Sequence, residues 1–191
     1  MTDHKEVIGF LGTMIGMVGY VPYVRNILKG RTKPHAFSWF IWSLLTGIGF
    51  SIQWAEGAGP GSWVTGMTSA ICFCVFVLAL LKGTRTFPMI DWIVLLALFI
   101  AIGIWLMTDN PAVSIVVVAS IDIFAYVPTI RKAFYNPFEE TAALFFLDVV
   151  KWASSLFALE VFTFSTWFYP AAMTVASAIV VGTLLIRRRI V

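Results

Sequence analysis

Three ionisable residues, Asp122, Asp148 and Lys151, interrupt stretches of sequence that are otherwise almost wholly apolar. Holding such a group at the centre of a bilayer costs roughly 2.5–3.5 kcal/mol on insertion scales, so each needs a partner or a wet cavity. Asp148 and Lys151 are three apart and share one helix face, where opposite charges neutralise each other. Asp122 falls near the middle of the preceding apolar run, at a depth where it can join them. A cluster of this kind can recognise a polar solute or serve as a proton-coupling carboxylate; a salt bridge that pins two helices is the alternative. Trp39, Trp42 and Trp152 add flat apolar walls with an N–H donor, suited to stacking on rings and equally to packing. The hydroxyls of Thr68 and Thr174 can line a pathway or help helices approach. Pro22 and Pro128 each remove a helix hydrogen bond, leaving either a hinge for a gate or a static kink.

The elements that must position these groups follow from composition. Of 191 residues, 60% are hydrophobic and 12% charged, and mean hydropathy is +0.90. That is too little polar surface for a soluble domain. Apolar runs of about twenty residues, each able to cross a hydrocarbon layer of about 30 Å, fill most of the chain. The sequence predicts an all-α integral membrane protein with seven spans: Val7–Leu28, Ala36–Trp54, Ser62–Leu81, Ile90–Met107, Ala112–Phe134, Thr141–Leu159 and Thr166–Ile186. The first is too long for a signal peptide and lacks a small-residue cleavage site. Cys72 and Cys74 are two apart, diverge on a helix, and read as small membrane-buried hydrophobes. Glu139 and Glu140 before Thr141 read as a helix start.

Charge sets the orientation. Arg25, Lys29, Arg31, Lys33, Lys82, Arg85, Arg131, Lys132 and Arg187 to Arg189 fall on one side, and only Lys5 on the other. The positive-inside rule makes the crowded side cytoplasmic, with the N-terminus outside and the C-terminus inside. These loops account for the basic pI without any role in nucleic-acid binding.

The segment from Tyr20 to Arg25, including Pro22, returns from Tyr126 to Arg131, including Pro128, an offset of 126 − 20 = 106. Without a gap, that offset also superposes Ala36 on Ala142, Phe40 on Phe146, Met67-Thr68 on Met173-Thr174, Ala70 on Ala176 and Leu78 on Leu184. Two three-helix repeats in parallel orientation need one linking span, giving repeat 1 over 7–83, a linker over 84–110 and repeat 2 over 111–189.

On Pro22-Tyr23 with Asn26, the basic stretch from Lys29 to Lys33, and Pro128-Thr129 with Asn136, the chain resembles the PQ-loop superfamily. That group includes SWEET sugar transporters, cystinosin-type amino-acid exporters and KDEL receptors. The glutamine of the Pro-Gln pair is Tyr23 in one copy and Thr129 in the other, and no asparagine stands near Val64-Thr65 or Pro170-Ala171. The resemblance implies a membrane carrier of a small polar solute working by alternating access. It also implies a proton-coupling role for an aspartate. A polar metabolite is expected over a sugar, and a monomer suffices. A cargo receptor or a membrane assembly factor without transport is the competing function. With only His4 and His35, both outside the spans, neither an enzyme nor a metal or other cofactor is expected. A retinal protein is disfavoured because Lys151 lies on the sixth span rather than the last.

Overall fold

A computed structural model describes residues 2–30, 33–83, 89–108, 110–135, 137–138 and 142–190. Arg31, Arg85, Asn136 and the expected helix start at Glu139, Glu140 and Thr141 lie outside them. Among the described residues the chain forms α1 (Thr2–Leu28), α2 (Ala36–Ala55), a 3-10 turn (Gly59–Ser62), α3 (Trp63–Lys82), α4 (Met89–Thr108), α5 (Pro111–Tyr135), α6 (Ala142–Phe157) and α7 (Phe164–Ile190). Five of these helices, counting the 3-10 turn with α3, are long and apolar enough to cross a bilayer: α1, α2, α3, α5 and α7. The protein is thus all-helical and carries the helices of a multi-pass membrane protein. At 16 residues α6 is shorter than its expected span; at 1.5 Å per residue it reaches about 24 Å.

Many polar side chains inside the helices are satisfied locally, as an apolar solvent demands, whereas Gln53 Oε1 and Thr65 Oγ1 are buried without a partner among the described residues. Thr13, Thr46, Thr68, Ser120, Thr174 and Thr183 each donate to a carbonyl one turn back. Asn110 Oδ1 caps α5 by accepting from the N–H groups of Ala112 and Val113, with Pro111 in the first turn, where its missing N–H costs nothing. Gly30 closes α1 at φ 70°, a left-handed turn that favours glycine.

Helix α3 packs against both α1 and α2, and α7 packs against both α5 and α6. The two triplets meet where α1 lies on α6 and α2 on α5, while α4 leans on α5 and touches α2. The buried positions of α1 are Gly9, Gly12, Gly16 and Ile27; adding 106 gives Ile115, Val118, Asp122 and Ala133, all buried in α5. Buried Leu45, Thr46, Gly49, Ile52 and Gln53 map likewise onto buried Lys151, Trp152, Ser155, Ala158 and Leu159.

The third helices break this register. Buried Val64, Thr65, Thr68, Cys72, Val75 and Ala79 correspond to buried Ser165, Thr166, Tyr169, Met173, Ala176 and Val180 at an offset of 165 − 64 = 101. At this spacing Thr68 lines up with Tyr169 rather than Thr174, and Val75 rather than Ala70 lines up with Ala176. Residues 56–62 join α2 to α3 and 158–163 join α6 to α7. The first connection holds the 3-10 turn, which packs on α1 and α6.

Close approach at that turn depends on Gly9, where an added Cβ would sit 2.7 Å from the Pro60 carbonyl oxygen; at Gly182 nothing lies within 4 Å. Gly9→Ala should therefore cost about 1–3 kcal/mol through overpacking, read as a lower Tm in detergent, while Gly182→Ala leaves Tm undiminished. Equal melting of the two variants would show that the α1 contact with the turn is loose.

Candidate functional site

A cavity of about 460 Å³ lies between the two triplets, lined from α1, α2, α3, α5, α6 and α7. Its walls contain Asp122, Asp148, Lys151, Trp39, Trp42, Trp152 and Thr68. Residues widely separated in the chain are thus gathered around one space of the size that ordinarily holds a small ligand.

The charged groups do not form a single cluster. Lys151 Nζ pairs with Asp148 Oδ1 at 2.6 Å, with side chains 2% and 17% exposed. The same ammonium lies 5.0 Å from the centre of the Tyr20 ring and 5.1 Å from that of Trp152. Asp122 is held instead by Tyr169, whose hydroxyl donates to Oδ2 at 2.5 Å. Tyr126 OH and Ser177 Oγ are 3.2 Å apart across α5 and α7.

The aromatic walls are continuous. Trp39 meets Trp42 edge-on at 5.2 Å and also packs on Tyr20 and Tyr23. On the facing side Trp152 meets Tyr169 edge-on at 5.5 Å. Four of the lining tyrosines, Tyr20, Tyr23, Tyr126 and Tyr169, were not site candidates by sequence. Tyr20 and Tyr126 did carry a signal, as the first residues of the repeated segment; Tyr169 carried none.

The lining repeats the 106-residue offset in the first two helices of each triplet. Tyr20 and Tyr126, Tyr23 and Thr129, Ser38 and Leu144, Trp39 and Phe145, Trp42 and Asp148, and Thr46 and Trp152 all face the cavity. Thr174 and Pro22 are not among the lining residues. Thr174 donates to the Pro170 carbonyl and is not in the wall. Pro22 is exposed within a helix that continues to Leu28, and Pro128 lies in the helical stretch that ends at Tyr135. The residue after each proline, Tyr23 or Thr129, does face the cavity.

The two ends of the cavity differ. Toward the α1–α2 connection it reaches exposed Lys33 and half-buried His35 and Ser38, the last two joined Nδ1 to Oγ at 2.9 Å. Beyond Trp152 and Tyr169 the helices close on one another. Ser155 Oγ donates to the Gly61 carbonyl at 2.5 Å, Gln53 Nε2 to that of Thr166 at 3.0 Å, and Lys5 Nζ to that of Leu159 at 2.6 Å. The Glu160 N–H donates to the Ala58 carbonyl at 3.1 Å, tying the two unequal connections together.

Comparison with protein-family models, curated proteins and solved structures returns no match to this chain.

The ion pair inside the bundle gives a direct test. Lys151→Met strands the Asp148 carboxylate among apolar neighbours and should cost about 3–5 kcal/mol, the loss typical of breaking a buried pair. The double variant Lys151→Met with Asp148→Asn should recover most of the melting temperature. A double variant as unstable as the single one would show that the pair is not what holds α6 in place.

Proposed function

We propose that this protein is a membrane carrier for a small polar solute, moving it by alternating access between two three-helix halves. The observation that carries the reading is the cavity between the halves, open toward one end and sealed by packed backbone at the other. A pathway open at both ends would describe a channel; a pocket reached from one end, with a hydrogen-bonded seam opposite, is what one state of a carrier requires.

Further observations support a duplicated architecture. Equivalent buried positions recur at 106 residues in the first and second helices, and cavity-facing residues recur at the same spacing. Both triplets also pack with the third helix against the first and second. In this reading α4 links the halves, α6 counts as a crossing element despite its length, and the likeness to the PQ-loop superfamily extends to architecture. Basic residues gather at the open end: Lys82 Nζ reaches the Leu28 carbonyl, and Arg187 and Arg188 reach those of Phe134 and Pro137. Positive-inside then makes the open end cytoplasmic and sets the N-terminus outside. Asp122 and Asp148 offer carboxylates for proton coupling, and Pro22 and Pro128 immediately precede Tyr23 and Thr129, which line the cavity.

Cysteine accessibility tests the cycle. In a Cys72→Ala, Cys74→Ala background, Ser38→Cys should react with an impermeant maleimide from the cytoplasmic face of vesicles. Ser62→Cys replaces a residue 0% exposed at the sealed end; it should react slowly, from the opposite face only, as the protein cycles. Silence at Ser62→Cys under every condition, with Ser38→Cys always open, describes a receptor or assembly factor and overturns the carrier reading.

A further inference from the structure

We infer that the cavity is built for a compact organic monocation, such as a quaternary ammonium or a charged nitrogen heterocycle. This rests on the reading above that the cavity is the solute site.

The first argument is charge. Among the described residues, the deep part of the cavity holds two carboxylates, Asp122 and Asp148, and one cation, Lys151. The ammonium is committed to Asp148 at 2.6 Å, which leaves Asp122 with a neutral donor, Tyr169, and no directly paired cation among those residues. Lys33, the other described cationic side chain in the wall, is exposed at the mouth, where water screens it. A ligand that brings one positive charge to Asp122 completes the balance; an anion would meet an unmatched carboxylate at close range in a poorly screened site.

The second argument is the wall. Tyr20, Trp39, Trp42, Tyr126, Trp152 and Tyr169 supply ring faces and edges, and aromatic faces attract cations through the ring quadrupole. The protein already uses this mode, since the Lys151 ammonium lies about equally far from the Tyr20 and Trp152 rings.

The third argument is what the wall withholds. A polyol is best held by several free donors and acceptors on the deep wall, where the Thr46 and Thr68 hydroxyls already donate to backbone carbonyls of their own helices and Tyr169 donates to Asp122. A zwitterion needs a cation for its carboxylate, and the buried one is taken. Flat apolar surface and one spare negative charge favour a cation whose remaining body is apolar.

The test compares choline with its uncharged carbon isostere, dimethylbutanol, and adds N-methylpyridinium. Binding is measured by calorimetry on the full chain in a maltoside detergent, which carries no ammonium group. At least one cation should bind, at least tenfold tighter than dimethylbutanol. Asp122→Asn keeps an acceptor for Tyr169 and should weaken the cation at least tenfold while leaving the isostere unchanged. Tyr169→Phe keeps the carboxylate and should retain the preference for charge. Equal binding of choline and dimethylbutanol, failure of both cations to bind, or cation affinity unaffected by Asp122→Asn would each overturn the inference. The comparison of charged and uncharged probes on the parent protein stands even if the variants fail to fold. The same cation offered to proteoliposomes separates the two readings. Binding without uptake would remove the carrier and leave the cation site, whereas uptake of uncharged solutes with no cation binding would do the reverse.

Discussion

The buried ammonium of Lys151 constrains much of this structure. In an apolar surrounding a full charge cannot be left to itself, and here three different groups share the work. Asp148, one turn back on the same helix, supplies the counter-charge. Tyr20 on α1 and Trp152 beside it supply ring faces. Because Tyr20 belongs to the opposite triplet, neutralising one residue of α6 also draws α6 against α1. That contact and the packing of α2 on α5 are the two largest helix contacts between the triplets. The cavity exists between these seams because the side chains there are large, ringed and charged, and cannot interdigitate as Leu and Ala would.

At the opposite end the packing logic reverses. Small residues let backbones approach, with Gly9 against Pro60 and Gly12 against Ser154, and carbonyls accept from Ser155, Gln53 and Lys5. The 3-10 turn shapes the seal: residues 56–62 join α2 to α3 and hold that turn, whereas 158–163 join α6 to α7. The turn is wedged between α1 and α6, so one end of the bundle is plugged. At the 106-residue spacing Asp122 lines up with Gly16, Asp148 with Trp42, and Lys151 with Leu45. The inner faces of the two triplets thus differ chemically, one mostly aromatic, the other bearing the ions.

Much of the framework was legible in the chain itself. Long apolar runs marked the helices because a bilayer-crossing segment has few other ways to satisfy its backbone. The α1 and α5 register was readable because Tyr20-Val21-Pro22 and Tyr126-Val127-Pro128 are distinctive among apolar residues. Asp122, Asp148 and Lys151 announced themselves by their cost in that setting. The register of α3 against α7 was not readable, since isolated matches such as Met67 with Met173 arise by chance in a sequence rich in so few residue types.

Composition, periodic apolarity and the placement of charges determined by themselves that this chain is helical, carries the long apolar helices of a multi-pass membrane protein and sets ionisable groups within apolar stretches. These properties are local or additive: each depends on what a short segment can do in hydrocarbon. Which partner each charge finds depends on helix rotation and on which helices touch, and these are set by packing summed over the whole bundle. Only the tertiary structure therefore decided that Lys151 pairs with Asp148 while Asp122 turns to Tyr169. It also decided that four tyrosines join the tryptophans around the cavity, that Thr174 faces away from it, and that one end is closed.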